Sequence, residues 1–161
     1  MRIAIGSDHR GYLMKERITS LLIQMGHQVD DQGTASEESV DYPDFASRVA
    51  KKVSSQEVNR GILICGTGIG MSIAANKIPG VRAAPCYDQL SAEISRRHND
   101  LNVLCLSADM LGNRLVEPLL ETWINTSFDG GRHTRRVQKI RQLDLINWLI
   151  NLFKKILLYI K

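Results

Sequence analysis

Residues 61–65 form an unbroken apolar run, Gly-Ile-Leu-Ile-Cys, and three glycines follow at alternate positions, 66, 68 and 70. A continuous apolar run is typical of a strand that is buried on both faces, as in parallel sheets covered by helices. Residues 69–76 are rich in helix formers, so the glycine run joins a strand to a helix. This unit restricts the chain to folds with a parallel sheet between helical layers.

The same alternation continues along the first 142 residues. Short apolar or β-branched runs predict strands near 2–6, 27–31, 61–65, 81–84 and 103–106, and helical spacing predicts helices near 13–25, 45–53, 69–76, 89–96 and 113–127, with a last helix after Gly131. The pattern predicts a Rossmann-like three-layer α/β/α sandwich with a five-stranded parallel sheet. Ligands bind such sheets at the carboxyl ends of the strands, so the loops at Ser7–Arg10 and Gly66–Gly70 are the expected site.

Composition excludes several other classes of protein. With 161 residues, 43% hydrophobic and 24% charged, the chain is expected to form one globular domain, not a disordered or fibrous protein. The net charge of +4 comes from dispersed Lys and Arg, so we expect no nucleic-acid partner. Three cysteines without CxxC spacing argue against disulfides and zinc. Together with the absence of a signal peptide at the N-terminus, they favour a reducing cytoplasm.

The segment from Leu143 to Lys161 differs in composition, because 13 of its 19 residues are apolar. We therefore divide the chain into a domain over 1–142 and an amphipathic helical extension over 143–161. Lys154 and Lys155 make it a poor transmembrane span. The favoured interpretation is a helix packed against its own or a neighbouring subunit, which would raise the oligomeric state beyond a dimer. A membrane-surface helix and an appended or engineered interface helix stay open.

The glycine run at 66–70 carries the strongest chemical signal. Its backbone N–H groups can bind an anion or a developing oxyanion. Met71 stands where a dinucleotide fingerprint has its third glycine, and the Gly-Lys-Ser/Thr of a P-loop is missing. A thiol beside a helix N-terminus ionises readily, which makes Cys65 a candidate base or nucleophile, whereas Cys86 and Cys105 are expected to pack in the core. A tight structural turn is the alternative reading of the glycines.

Two other groups of polar residues are candidates. Asp8 and His9 lie at the carboxyl end of the first strand, and His98-Asn99-Asp100 is predicted to form a polar loop before the fifth; each can act as an acid, a base or a hydroxyl ligand. Arg132 and Arg136 are one helical turn apart and can clamp a phosphate, although a solvated basic face explains them equally well. No cluster of His, Cys and carboxylate has ligand spacing, so no metal is predicted.

Five ordered segments together carry a resemblance. They are GSDHRG at Gly6–Gly11, DYPDFA at Asp41–Ala46, CGTGIGMSIAANK at Cys65–Lys77, SRRHNDLNVL at Ser95–Leu104 and GGRHTRRV at Gly130–Val137. Over residues 1–142 the chain resembles ribose-5-phosphate isomerase type B. The superfamily also contains the two galactose-6-phosphate isomerase subunits, of which one typically lacks the cysteine of CGTG and the other the HND and GGRH motifs. The presence of all three motifs here favours the pentose enzyme.

The resemblance implies a Rossmann-like subunit in an obligate homodimer, often paired into a tetramer, with active sites shared between subunits. It implies interconversion of ribose 5-phosphate and ribulose 5-phosphate through a cis-enediolate, with no metal or other cofactor. Cys65 would be the base, Thr67 would position or relay hydroxyl protons, and His98 would open the furanose ring. The implied substrate contacts are Asp8, His9, Tyr42, Gly66, Gly68, Ile69, Gly70, Asn99, Arg132 and Arg136.

Two departures from the family pattern accompany this resemblance. Asp109 stands where many members have an arginine, so one phosphate contact is expected to be absent or replaced by Arg114. The apolar extension replaces the polar ends usual in the family. Two alternative functions stay open: isomerisation of a six-carbon sugar phosphate such as allose 6-phosphate, and a non-catalytic sugar-phosphate-binding or assembly scaffold.

Overall fold

The computed structural model describes residues 1–144, with the side chains of 113 and 114 excepted. Its sheet has five parallel strands in the order β2-β1-β3-β5-β4. The strands are β1 Arg2–Ser7, β2 Gln28–Asp31, β3 Arg60–Cys65, β4 Ala83–Pro85 and β5 Val103–Ser107. The predicted five-stranded parallel sheet is therefore confirmed.

Helices cover both faces of this sheet. They are α1 Tyr12–Gln24, preceded by a 3-10 turn at His9–Gly11, then α2 Tyr42–Ser54, α3 Ile69–Ala75, α4 Gln89–Asn99, α5 Asn113–Asn125 and α6 over 132–144. On one face the core contains side chains of α2 and α3, and on the other it contains those of α1, α4 and α5. The result is the predicted three-layer α/β/α sandwich.

Strand β3 explains why residues 61–65 had to be apolar throughout. Ile62 and Ile64 belong to the core on the α1 and α5 side, whereas Leu63 and Cys65 belong to the core on the α2 and α3 side. All four are at most 5% exposed. Burial of a large apolar side chain stabilises a fold by about 1.5–3 kcal/mol. A polar residue facing either side of the sheet would therefore destabilise the fold.

The predicted loop at His98-Asn99-Asp100 is wrong, because His98 and Asn99 form the last turn of α4. The helix ends one residue later, where Asp100 adopts a left-handed conformation with φ 48°. Arg82 and Arg96 both pair with the Asp100 carboxylate, at 2.9 and 3.0 Å, and hold the chain in that conformation. The polar run therefore marks an exposed helix end.

Other boundaries of helices and strands differ from the predicted ones by a few residues. The predicted loop over 33–43 is shorter, because α2 begins at Tyr42 with Pro43 in its first turn, a favoured place for proline. Helix α6 crosses the predicted boundary at 142/143 without a break, and the Gly80 N–H donates to Asp144 Oδ2 at 2.8 Å. Predictions for 145–161 lie outside the described residues. Among the helices described, none is long and apolar enough to cross a membrane.

Candidate active site

The turn between β3 and α3 requires glycine at position 68 and leaves little room for a side chain at position 66. Gly68 has φ +79°, and a Cβ there would lie 3.2 Å from the Leu106 carbonyl. At Gly66 a Cβ would lie 2.9 Å from Asp109 Oδ2 and 3.0 Å from Arg10 Nε. Both approaches are closer than ordinary van der Waals contact. The backbone therefore passes close to the end of β5 without intervening side chains.

The loop turns two of its own N–H groups inward. The Gly68 N–H donates to Cys65 Sγ at 3.1 Å, and the Ile69 N–H donates to Thr67 Oγ1 at 3.3 Å. Within the part of the chain that the structure describes, the N–H groups of Thr67 and Gly70 have no hydrogen-bond partner. Cys65 itself is 5% exposed. The loop thus combines a thiol with N–H donors that are free to bind an oxyanion.

Two residues that the sequence did not predict donate hydrogen bonds to the carbonyl groups of this loop. The Ser107 hydroxyl donates to the Gly66 carbonyl at 2.6 Å, and the Tyr87 hydroxyl donates to the Thr67 carbonyl at 3.1 Å. Ser107 ends β5, whose last residue pairs with Cys65 at the end of β3. Only this strand register could have pointed to Ser107, because an isolated serine or tyrosine shows no pattern in the sequence.

The end of β1 places Asp8 and His9 at the carboxyl ends of the strands, and the start of α2 places Tyr42 beside the glycine loop. Asp8 is buried, and its Oδ1 accepts hydrogen bonds from the N–H groups of Arg10 and Gly11, so it caps the 3-10 turn. His9 Nδ1 accepts from the Val40 N–H at 3.3 Å. Tyr42 lies against the glycine loop, because a Cβ on Gly70 would be 2.8 Å from its ring. Asp8 and His9 thus directly follow β1 at the level where β3 ends, and Tyr42 lies against Gly70.

Asp109 makes an ion pair beside Gly66. Arg10 Nη2 lies 2.8 Å from Asp109 Oδ2, and both side chains are partly exposed. The hydrogen bond and charge of Asp109 raise the pKa of Arg10. The residue that departs from the family pattern is thus neutralised by Arg10; the side chain of Arg114, its expected replacement, lies outside the described part.

The remaining predicted residues form a second group, on α4 and α6. The His98 and His133 rings stack with centroids 4.2 Å apart and planes within 6° of parallel. Arg132 and Arg136, one turn apart on α6, are exposed, as is Asn99 at the end of α4. Burial, followed by His98, Arg132 and Arg136, lowers the pKa of His133.

This second group contains a cluster of three possible metal ligands, which the spacing in the sequence does not predict. Ligand atoms of His98, Asp129 and His133 all lie within 4.8 Å of one another. The lone pairs of an imidazole lie in the ring plane, so two parallel stacked rings cannot both point at one ion. Arg97 Nε also holds both Asp129 oxygens, at 3.1 and 3.2 Å. The arrangement as it stands fits stacked rings and an ion pair better than a metal centre.

The two groups lie at opposite ends of the strands. The first group is at the carboxyl ends, and the second is near the amino ends. Cys65 is level with Ser107 at the end of β5, whereas α4 ends just before β5 begins at Val103. Four residues of strand separate these levels, or about 13 Å. The structure therefore brings Asp8, His9, Tyr42 and Cys65–Gly70 together, and separately His98, Asn99, Arg132 and Arg136. It does not bring the two groups together within one subunit.

The fold is that of a parallel α/β enzyme, and the thiol beside unpartnered N–H groups at the carboxyl ends of its strands is its candidate active site. Residues 3–140 match the ribose/galactose isomerase family, and the chain belongs to that family.

Known relatives agree with this assignment. The chain is 46% identical over 143 residues to ribose-5-phosphate isomerase B of Escherichia coli K12, covering 89% of this chain and 96% of that protein. A ribose-5-phosphate isomerase B structure from Clostridium thermocellum has a TM-score of 0.90 at 50% identity, covering 91% of this chain and 99% of that chain. The D-erythrulose-4-phosphate isomerase of Pectobacterium atrosepticum is 40% identical over 141 residues, covering 87% and 93%.

Proposed function

We propose that this chain interconverts ribose 5-phosphate and ribulose 5-phosphate in an active site built from two copies. The observation that carries the proposal is the Cys65 sulfur beside the Thr67 and Gly70 N–H groups, which have no partner among the described residues. A base next to oxyanion donors is what proton transfer at a carbon next to a carbonyl requires. Similarity to named ribose-5-phosphate isomerases supports the choice of substrate.

The chemical step follows from this loop. The Cys65 thiolate removes the proton from C2 of the open-chain aldehyde, and the electron pair moves onto the carbonyl oxygen O1 to give a cis-enediolate. The N–H groups of Thr67 and Gly70 donate to that oxygen; one such donor is worth about 3–4 kcal/mol in other enzymes. Thr67 passes a proton from O2 to O1, and the Cys65 thiol returns its proton to C1.

Ring opening and phosphate binding fall to the second group. His98 takes the proton of the O1 hydroxyl and delivers it to the ring oxygen as the bond between C1 and that oxygen breaks, which leaves the C1 aldehyde. Asn99 adds a donor to the oxyanion site. Arg132 and Arg136 bind the phosphate. Since the two groups lie at opposite ends of the strands of one subunit, we propose that a second copy supplies His98, Asn99 and the arginines to each loop. A homodimer with shared sites is therefore the smallest active unit.

The proposed reaction needs no cofactor, because hydrogen moves within one substrate and no oxidant or reductant is consumed. It does need a reduced thiol at Cys65. All three cysteines are free and buried in the structure. We therefore place catalysis in a reducing compartment, as in the cytoplasm.

A four-carbon substrate is the second candidate, because one relative is named D-erythrulose-4-phosphate isomerase. The purified full chain should be assayed on ribose 5-phosphate, allose 6-phosphate and D-erythrulose 4-phosphate under the same conditions. We expect the highest kcat/KM with ribose 5-phosphate. A higher value with either of the others would reassign the substrate. Phosphosugar binding without turnover on any of the three would identify a non-catalytic scaffold.

A further inference from the structure

We propose that His133 is a positioning residue that holds His98 and Arg132 in one arrangement for ring opening. This proposal rests on the proposed function, which assigns roles to His98 and Arg132 but none to His133. The His133 side chain is 6% exposed, although it follows directly after an exposed arginine at the start of α6. A buried imidazole beside a proposed acid–base group needs an explanation of its own.

The stacked contact fixes the plane of the His98 ring. With the two rings within 6° of parallel and their centroids 4.2 Å apart, the arrangement is an offset stack. If His98 turned about its terminal torsion, its edge would collide with the face of His133. The ring nitrogens of His98 are thereby held in a single plane, which is what a general acid needs in order to meet one particular oxygen.

The other contact of His133 joins it to the phosphate clamp. Arg132 Nε donates to His133 Nε2 at 3.4 Å, so the neutral ring accepts there and carries its proton on Nδ1. Burial, followed by His98 and the positive charges of Arg132 and Arg136, lowers the pKa of this ring, whereas Asp129 acts in the opposite direction, and the net shift favours the neutral form. A protonated ring would lose the acceptor and repel Arg132. The neutral form is therefore the one that connects His98 to Arg132.

Backbone and side-chain contacts also join the end of α4 to the start of α6. The Asp129 N–H donates to the Arg97 carbonyl at 3.0 Å, and the Arg97 guanidinium pairs with both Asp129 and Glu93. Gly130 and Gly131, with φ of +67° and +55°, then turn the chain into α6. The end of α4 and the start of α6 are thus fastened to each other next to the stacked rings. His98 and Arg132 should consequently reach a second copy's substrate already oriented.

Two measurements separate ring opening from proton transfer. Turnover of ribose 5-phosphate requires both steps. Uptake of deuterium from D2O at C1 of ribulose 5-phosphate requires only enolisation, because this ketose has its C5 oxygen phosphorylated and cannot close a furanose ring. At saturating substrate, His133→Ala should lower turnover by about tenfold or more. Deuterium uptake should fall by less than about threefold, because the Cys65 loop is untouched.

His133→Phe distinguishes the two contacts. Phenylalanine keeps the stacked face but cannot accept from Arg132. We expect this variant to retain turnover within about threefold of wild type while KM for ribose 5-phosphate rises about tenfold, as expected when one charge-assisted contact is misplaced. An unchanged KM would overturn the link to Arg132, and this test stands even if His133→Ala fails to fold.

Val137→Ala is the matched control, because Val137 is one turn further along α6 and is also buried, at 4% exposed. It should leave the ratio of deuterium uptake to turnover unchanged. Equal losses of uptake and turnover in His133→Ala, or the same altered ratio in Val137→Ala, would show a purely structural role and overturn the proposal. If the wild type shows neither turnover nor uptake, the proposed function fails instead, so the two failures are distinguishable.

Discussion

The N–H of Gly68 donates to the sulfur of Cys65 at 3.1 Å, across a turn that only a left-handed residue can make. This contact places the thiol at the mouth of the glycine loop, directly before the N-terminus of α3. The neighbouring N–H groups of Thr67 and Gly70 have no hydrogen-bond partner among the described residues. The sulfur and these two N–H groups therefore belong to one short backbone turn.

Replacement of Cys65 by alanine should abolish proton transfer and preserve the fold. We expect kcat for ribose 5-phosphate to fall at least about a hundredfold, since positioned proton transfer contributes that much or more. Calorimetry should show little change in Tm. Cys86→Ala, which removes another buried thiol, is the matched control and should keep its activity. If Cys65→Ala retained more than about a tenth of wild-type turnover, Cys65 would be excluded as the essential base.

Arg132→Ala should weaken substrate binding more than chemistry. Loss of one guanidinium from the phosphate clamp is expected to raise KM by about tenfold or more, and Arg136→Ala should act in the same direction. Arg141→Ala is the control, because Arg141 lies nine residues along α6 and so on its opposite side. Steady-state kinetics and calorimetric titration check both. If unphosphorylated ribose bound the wild type as tightly as its phosphate, the clamp assignment would be wrong.

Shared sites predict complementation between two inactive variants. Cys65→Ala and His98→Asn each damage every site in their own homodimers. A mixed dimer contains one site with both groups intact, so random mixing after dissociation should recover about a quarter of wild-type turnover. The assay is turnover before and after mixing. No recovery from demonstrated mixed dimers would place both groups in the same subunit's site.

Acidification should destabilise the protein partly through His133. Its folded pKa lies below the ordinary value, so as pH falls through about 6.5 the unfolded ring binds a proton that the folded ring does not. This contribution lowers the free energy of unfolding until the pH reaches the folded pKa. His133→Phe removes it. Urea unfolding at pH 7.5 and 5.5 should therefore show a larger loss for wild type than for the variant, and equal losses would contradict the lowered pKa.

The apolar extension should affect assembly and not catalysis. A chain that ends at Asp144 keeps the Gly80 contact and loses the remaining apolar residues. We expect light scattering to show a smaller oligomer, a dimer, with turnover per site unchanged. An unchanged mass would refute the assembly role. Lost activity in an intact dimer would show that the extension supports the site.

The fold could be predicted from the sequence because buried positions show a regular pattern of apolar residues. Ile62 and Leu63 both had to be apolar once β3 was covered on two faces. Exposed polar residues show no such pattern, so their secondary structure is harder to predict. The sequence predicts a loop at His98 and Asn99, because an exposed helix end and a loop have the same composition, and the helix ends only at Asp100.

Candidate site residues divide in the same way. Cys65 and its glycines show their chemistry in consecutive positions, so the sequence was enough to select them. Ser107, Tyr87 and the pair Arg10–Asp109 act on the loop from distant segments, and only the strand order and register bring them there. His133 was missed for the same reason, since its meaning depends on the ring of His98 beside it.

The placement of the two site halves at opposite ends of the strands has a consequence for enzyme concentration. Under the proposed arrangement each chain carries both halves and yet closes no site alone, so assembly itself switches catalysis on. A newly made chain stays inert until it meets a second copy. Activity per chain should then fall on dilution below the dimer dissociation constant, in the same concentration range in which the measured mass falls.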